Sequence, residues 1–382
     1  MELEGVPSLF TPYRVRNIIL KNRFVVPGMQ RGVSDRGMPT AALAAYYRRF
    51  IEGGFALVMS ESCAIDHPVA SAKTSVLRMN ADTTPGWRRC VDEVREVGGH
   101  ILIQLWHEGA MRECQDSALP SLSPSGLQTG TKASGRAFTV NELATLKECY
   151  RTAAQRAQQI GAAGVEVHAG HGYLLDQFLW PDTNRRTDGY GGPDIRQRVR
   201  FAAEVVASIR QATGNDFVIS FRFSQWKVSY DGTVPTINTD AKVVHSPEDL
   251  RLMLTSLRDN GVDLFHASTR TFYKPEWPSD DRSLAGWARG LTDAGVITVG
   301  GVGANNDRVE VLAGEPRSAP MGLESNLVEL ARRFRRGDFD LVSVGRASIG
   351  DPEWADKVRT GRYNDINPFS PRELLALRSR IT

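Results

Sequence analysis

Cysteine is scarce in this chain: four among 382 residues, at Cys63, Cys90, Cys114 and Cys149. No two stand in a C-x-x-C pair, so neither a zinc ribbon nor an iron–sulfur cluster is predicted, and free thiols in a reducing compartment are the plain reading. Long apolar runs are missing as well. No stretch approaches the roughly 20 residues that a membrane helix requires, and MELEGVPSLF at the start has no basic segment leading into an apolar core. A cytoplasmic protein without a membrane partner is expected. A surplus of one charge is also absent, with 47 basic against 44 acidic side chains, and no long basic run marks a nucleic-acid surface. The densest basic patch, RRFRRGD at 332–338, reads as a solvated helix end. No low-complexity stretch divides the chain, so residues 1–382 are expected to form a single domain.

What the chain does contain is eight short runs rich in Val, Ile, Leu and Phe. They are FVVPGM from 24, FALVMS from 55, ILIQLW from 101, GVEVH from 164, FVISFRF from 217, VDLFHAS from 262, VITVGG from 296 and DLVSVG from 340. Most are continuously apolar instead of alternating, the pattern of strands buried on both faces of a parallel sheet. Helical stretches lie between them, at 39–54, 140–164, 193–214, 246–261 and 325–338, several bounded by Pro, Ser or Thr at the start and Gly at the end. Strands alternating with helices predict an α/β fold, a (β/α)8 barrel. Residues 1–22 would cap its base, and long loops would follow strand 3 (107–139), strand 5 (224–245) and strand 6 (270–290).

Loops after strands build the active face of a barrel. GGVG at 300–303 and VGRASIGDP at 344–352 follow strands 7 and 8, where glycines let backbone N–H groups approach a phosphate. Gln104 and Arg222 interrupt otherwise apolar strands. A buried arginine needs a carboxylate or an anionic ligand, and Glu166 and Asp263 are the candidate structural partners. His168, His171 and Tyr173 end strand 4 close together. Two imidazoles can grip an oxygen while a phenol delivers a proton to a neighbouring carbon. An H-x-x-H pair can also bind a metal, but no third ligand has suitable spacing, so no metal is expected.

HAGHGYLLDQFLWPDTNRRTDGYGG at 168–192 resembles the signature of the old yellow enzyme family of FMN-dependent ene-reductases, in which H-x-x-H-G-Y-L leads to Q-F-L and then N-x-R-x-D-x-Y-G-G. LKNRFVVPGMQR at 20–31, MSESCAI at 59–65, IQLWHEGA at 103–110 and VGRASIGDPEW at 344–354 extend the resemblance over nearly the whole chain. It implies a single FMN-binding (β/α)8 barrel. Pro27, Gly28, Met29 and Gln30 would run beside the isoalloxazine with Ser62 at its edge, Gln104 on the pyrimidine side and Arg222 near N1. Gly301, Gly303, Gly345 and Arg346 would hold the phosphate. His168 and His171 would hold the substrate oxygen beside Trp106, and Tyr173 would be the proton donor.

The implied activity is a ping-pong reduction of alkenes activated by a carbonyl or nitro group, with hydride passing from NADH or NADPH through flavin N5. HASTRTFYKPEW at 266–277 is similar to a loop of the relatives that resemble amine dehydrogenases, which leaves amine or N-methyl oxidation as the alternative. A non-catalytic flavin sensor is the alternative from another class. Gln30 stands where threonine or cysteine is usual, Gly28 where proline is common and Ala110 where arginine is usual. Those departures touch substrate preference and flavin potential. The expected partners are small molecules, with homo-oligomerisation left open.

Overall fold

A computed structural model describes residues 3–112, 118–231, 234–303, 321–370 and 372–373. All eight apolar runs are strands. Numbering only those of the barrel, they are β1 (Phe24–Val26), β2 (Leu57–Met59), β3 (His100–Trp106), β4 (Gly164–His171), β5 (Val218–Asp231), β6 (Leu264–Ser268), β7 (Gly295–Val299) and β8 (Leu341–Ser343). Each pairs in parallel with the next, and β8 pairs with β1, so the sheet closes into a (β/α)8 barrel and leaves no open edge.

The expected base cap is present as an antiparallel hairpin, Tyr13–Val15 with Ile18–Leu20. Its Val15, Ile18 and Leu20 pack onto Val25, Leu57, Leu102, Val218, Leu264, Ile297 and Leu341 from the barrel strands. An apolar layer therefore plugs one end of the barrel and forces the polar strand residues toward the other end, where the loops are.

The outer helices are α1 (Ala41–Glu52), α2 (Thr84–Glu96), α3 (Val140–Gln159), α4 (Leu174–Leu179), α5 (Ile195–Thr213), α6 (Pro247–Asp259), α7 (Leu284–Leu291), α8 (Leu323–Arg336), α9 (Arg346–Gly350) and α10 (Trp354–Arg359). Local chemistry explains their ends. Thr40 caps α1 by accepting from Leu43 N, Ser246 caps α6, and Thr139 with Glu142 forms a capping box at α3. Among the described residues no helix is long and apolar enough to cross a membrane.

Three expectations need correction. The segment after strand 5 is not a plain loop, because β5 runs on to Asp231 and pairs antiparallel with Val234–Asn238. Its polar residues hide the strand, although the Asp-Gly pair at 231–232 is a hairpin signal. The segment after strand 6 ends in α7 well before residue 290. The basic patch at 332–338 is also more than a solvated end. Arg333 is buried, bonding Glu329, Asp338 and the carbonyls of Tyr273 and Asp281. Cys63 and Cys90 are buried free thiols and Cys149 is half-buried, while Cys114 lies outside the described residues.

Candidate active site

A cleft opens at the loop end of the barrel. Its lining includes Pro27, Met29, Arg222, His171, Gly301, Gly303, Gly345 and Arg346, so eight of the predicted site residues meet in one space. Gly28, Ser62 and Gln104 lie directly behind the β1 turn. Arg222 Nη1 donates to Gly28 O at 3.2 Å, Ser62 Oγ donates to Gln104 Oε1 at 2.8 Å, and a Cβ at Gly28 would stand 2.7 Å from Gln104 Nε2. Gln30 is exposed and not part of the cleft lining.

At the phosphate end, Gly301 and Gly303 both adopt positive φ, at 65° and 67°. Asn326 braces them, accepting from Gly303 N at 2.9 Å and donating to Gly301 O at 3.0 Å. Residues 304–306 of the glycine-rich stretch lie outside the described residues. Across from them Gly345 precedes α9, and Ser343 Oγ is buried with no hydrogen-bond partner among the described residues. Arg222 Nε and His168 Nδ1 are likewise buried and unpartnered among the described residues. Orphaned buried polar atoms are costly unless a ligand satisfies them. A guanidinium at one end and glycine amides with Arg346 at the other match a ligand with a planar polar edge and a terminal phosphate. FMN fits this donor set.

The histidine cluster depends on a backbone irregularity. In a regular strand, residues three apart point to opposite faces, so His168 and His171 would diverge. The β4–β5 register shifts between Ala169 and His171, and His171 takes φ 65°, a left-handed backbone that is strained for a non-glycine residue. His171 N is held by Ser224 Oγ at 2.9 Å. The rings then gather: His168 lies 5.0 Å from His171 and 5.4 Å from Tyr173, and Tyr173 stands edge-on to Trp106 at 5.0 Å.

Burial, reinforced by the charge of Arg222, pushes His168 down to about 3 and His171 well below its ordinary range. Both imidazoles are therefore neutral at physiological pH, each with one N–H to donate. Asp176 and Lys227 support the turn from below. Asp176 Oδ2 accepts from Gly172 N at 2.6 Å, and Lys227 Nζ meets Asp176 Oδ1 at 3.1 Å with both side chains buried. Among the described residues no group of three or more His, Cys, Asp or Glu could hold a metal ion.

Arg222 has neither of the proposed structural partners within hydrogen-bond distance. Asp263 instead pairs with Arg16 and Arg210, and Glu166 bonds Gln104, Ser220 and His266. Several cleft residues escaped the sequence reading. Ser268 Oγ lies 2.8 Å from His171 Nε2, the Trp226 ring packs tilted against His171 at 4.4 Å, and Arg270 covers Trp226. Ile366 to Phe369, near the end of the chain, also line the cleft. Ser268 ends β6 level with Ser224 of β5, two residues beyond His266, which stands level with His168 and Arg222, and its place at a strand end on the loop side was the available signal.

The family model described as NADH:flavin oxidoreductase / NADH oxidase matches residues 8–317. A NADH oxidase of Thermoanaerobacter brockii is 31% identical over 94% of this chain and 52% of its own length. An N,N-dimethylglycine/sarcosine dehydrogenase of Chromohalobacter salexigens is 27% identical over 94% of this chain and 49% of its own length. The chain thus spans about half the length of these curated relatives. A solved structure of a mutant morphinone reductase in complex with tetrahydroNAD superposes with a TM-score of 0.77 at 25% identity, covering 96% of this chain and 94% of that one. With a closed barrel, a cleft suited to FMN and a family match over most of its length, the chain belongs to the NADH:flavin oxidoreductase / NADH oxidase family, the FMN-dependent oxidoreductases of old yellow enzyme type.

Proposed function

We propose that the protein reduces the C=C bond of alkenes activated by a carbonyl or nitro group, using NADH or NADPH. The observation that carries this reading is the gathering of His168, His171 and Tyr173, of which His171 lines the cleft beside Arg222 while His168 and Tyr173 pack behind it. Bound FMN would supply the hydride that it has taken from the nicotinamide. The rest is work for this chain's own groups. The backbone from Pro27 to Gln30, with Ser62, Gln104 and Arg222, would hold the ring system, and Gly301, Gly303, Gly345 and Arg346 the phosphate.

Two neutral imidazoles suit hydrogen-bond donation to a carbonyl or nitro oxygen, because neither carries a proton acidic enough to be lost to the substrate. The Ser268 hydroxyl occupies His171 Nε2, which leaves Nδ1 as the nitrogen to face a ligand. Tyr173 would protonate the α-carbon. Trp226 would form an aromatic wall that favours flat, conjugated substrates, with Trp106 packed edge-on against Tyr173 behind it.

The test is an anaerobic visible spectrum of the protein with bound FMN, taken before and after adding nicotinamide and then cyclohexenone. Bleaching followed by recovery is expected. For Tyr173→Phe, bleaching by nicotinamide should persist while recovery slows by 10²-fold or more, on the order of a lost general acid. Unchanged recovery would show that Tyr173 is not the donor. The similarity to the dimethylglycine/sarcosine dehydrogenase supports amine oxidation as the second reading. Bleaching by an N-methylated amino acid with no response to nicotinamide would favour it.

A further inference from the structure

Glu166 lies at the centre of the barrel, fully buried, and has no part in the roles above. It accepts three hydrogen bonds: from Gln104 Nε2 at 2.8 Å, from Ser220 Oγ at 3.2 Å and from His266 Nδ1 at 2.7 Å. A carboxylate is an acceptor only, so these contacts fix the donors around it. Gln104 must turn its NH2 toward Glu166, and Ser62 Oγ bonds its carbonyl oxygen from the other side. The amide can no longer flip. One N–H and one lone pair of Gln104 remain for a ligand, the complement of a pyrimidine edge that offers a carbonyl oxygen beside an N–H.

Burial alone would raise the Glu166 carboxyl, but the hydrogen bonds from His266 and Gln104 and the charge of Arg222 hold it below its ordinary range, while burial lowers His266. The core beneath the proposed ring site therefore contains one cation, Arg222, and one anion, Glu166.

We infer that Glu166 is a positioning residue for the flavin: it locks the orientation of Gln104, and its charge offsets that of Arg222, holding the flavin potential down. This rests on the reading that FMN binds between Gln104 and Arg222. Negative charge accumulates on a reduced flavin. A buried carboxylate one side chain away opposes that charge, and the low-polarity interior does little to screen it.

Glu166→Gln keeps the acceptor for Gln104 and loses the charge, with His266 free to switch its proton to Nε2. Glu166→Asp keeps the charge and withdraws it by one methylene from Gln104. Both variants and the parent are loaded with FMN. Its affinity is measured by fluorescence quenching and its potential by dye-linked anaerobic reduction. In Glu166→Gln the ratio of oxidised to reduced FMN dissociation constants should rise at least tenfold, a shift of about 30 mV for a two-electron couple. Glu166→Asp should bind FMN at least tenfold more weakly with its potential held. A Glu166→Gln potential equal to the parent's overturns the charge role, and parental FMN affinity in Glu166→Asp overturns the positioning role. If the parent itself fails to bind FMN, the flavin reading fails first, and that outcome is distinct from both.

Discussion

The Asp176–Lys227 pair offers a test in which the two halves should respond differently. Both side chains are buried beneath the turn that carries His171 and Tyr173, so removing either partner strands the other. The charge left behind can escape by neutralising, which sets a ceiling on the loss. In Asp176→Asn the stranded ammonium would have to shed a proton. From its ordinary 10.5, at about 1.4 kcal/mol per unit, that costs at most about 5 kcal/mol at pH 7 and about 2 kcal/mol at pH 9.

In Lys227→Met the stranded carboxyl would have to take up a proton, which from its ordinary 3.8 costs at most about 4 kcal/mol at pH 7 and about 2 kcal/mol at pH 5. The two variants therefore have similar ceilings at pH 7, and it is the pH dependence that separates them. Their pH trends should oppose each other: the deficit of Asp176→Asn shrinks as pH rises, whereas that of Lys227→Met shrinks as pH falls toward 5. Urea unfolding of each variant against the parent at pH 5, 7 and 9, with a common m-value, measures both trends. Deficits that move in the same direction with pH, or that do not change with it, would refute the idea that a stranded charge sets the energetics.

Other outcomes follow from the same structure. Gly28→Ala would place a methyl 2.5 Å from the backbone oxygen of Ser60 and 2.7 Å from Gln104 Nε2, so the overpacked turn should lose about 1–3 kcal/mol of stability and FMN affinity should fall. A fluorescence titration decides it, and parental affinity would show that this close approach is not needed. His67 and His168 are held by burial at about 4 and about 3, below their ordinary 6.5. Because the unfolded chain takes up these protons first, their contribution is complete above about pH 6.5 and is lost as pH falls toward the folded values, at about 1.4 kcal/mol per unit each. Thermal melts between pH 7 and 4.5 should show a steady decline, and a flat profile would mean that these imidazoles are not held neutral.

Much of the barrel was legible because its physics is local. Eight apolar runs recur with helical stretches between them, each able to bury its faces only by closing into one sheet, and the capping residues Thr40, Thr139 and Ser246 mark helix starts in one dimension. The long motif at 168–192 was equally visible, as were Gln104 and Arg222, because a polar side chain inside an apolar strand is conspicuous. The strand extension to Asp231 was hidden by polar residues whose pairing partner alone makes them a hairpin.

Other features required the folded chain. His171 reaches the side of His168 only through a register shift set by pairing with β5, a relation to residues about fifty positions away. Ser268, Trp226 and Ile366 to Phe369 reach the cleft because barrel closure brings β5, β6 and the end of the chain around one mouth. Glu166 could be suspected of pairing with Arg222 from composition. Its actual partners are set by which strands stand side by side and which of their side chains share a layer. The sequence by itself determined the barrel, its polar insertions and the family motif, because periodicity and residue type act over short distances. Which groups touch, and with what backbone strain, was decided by closure of the sheet, since only closure fixes register across strands that lie far apart in the chain.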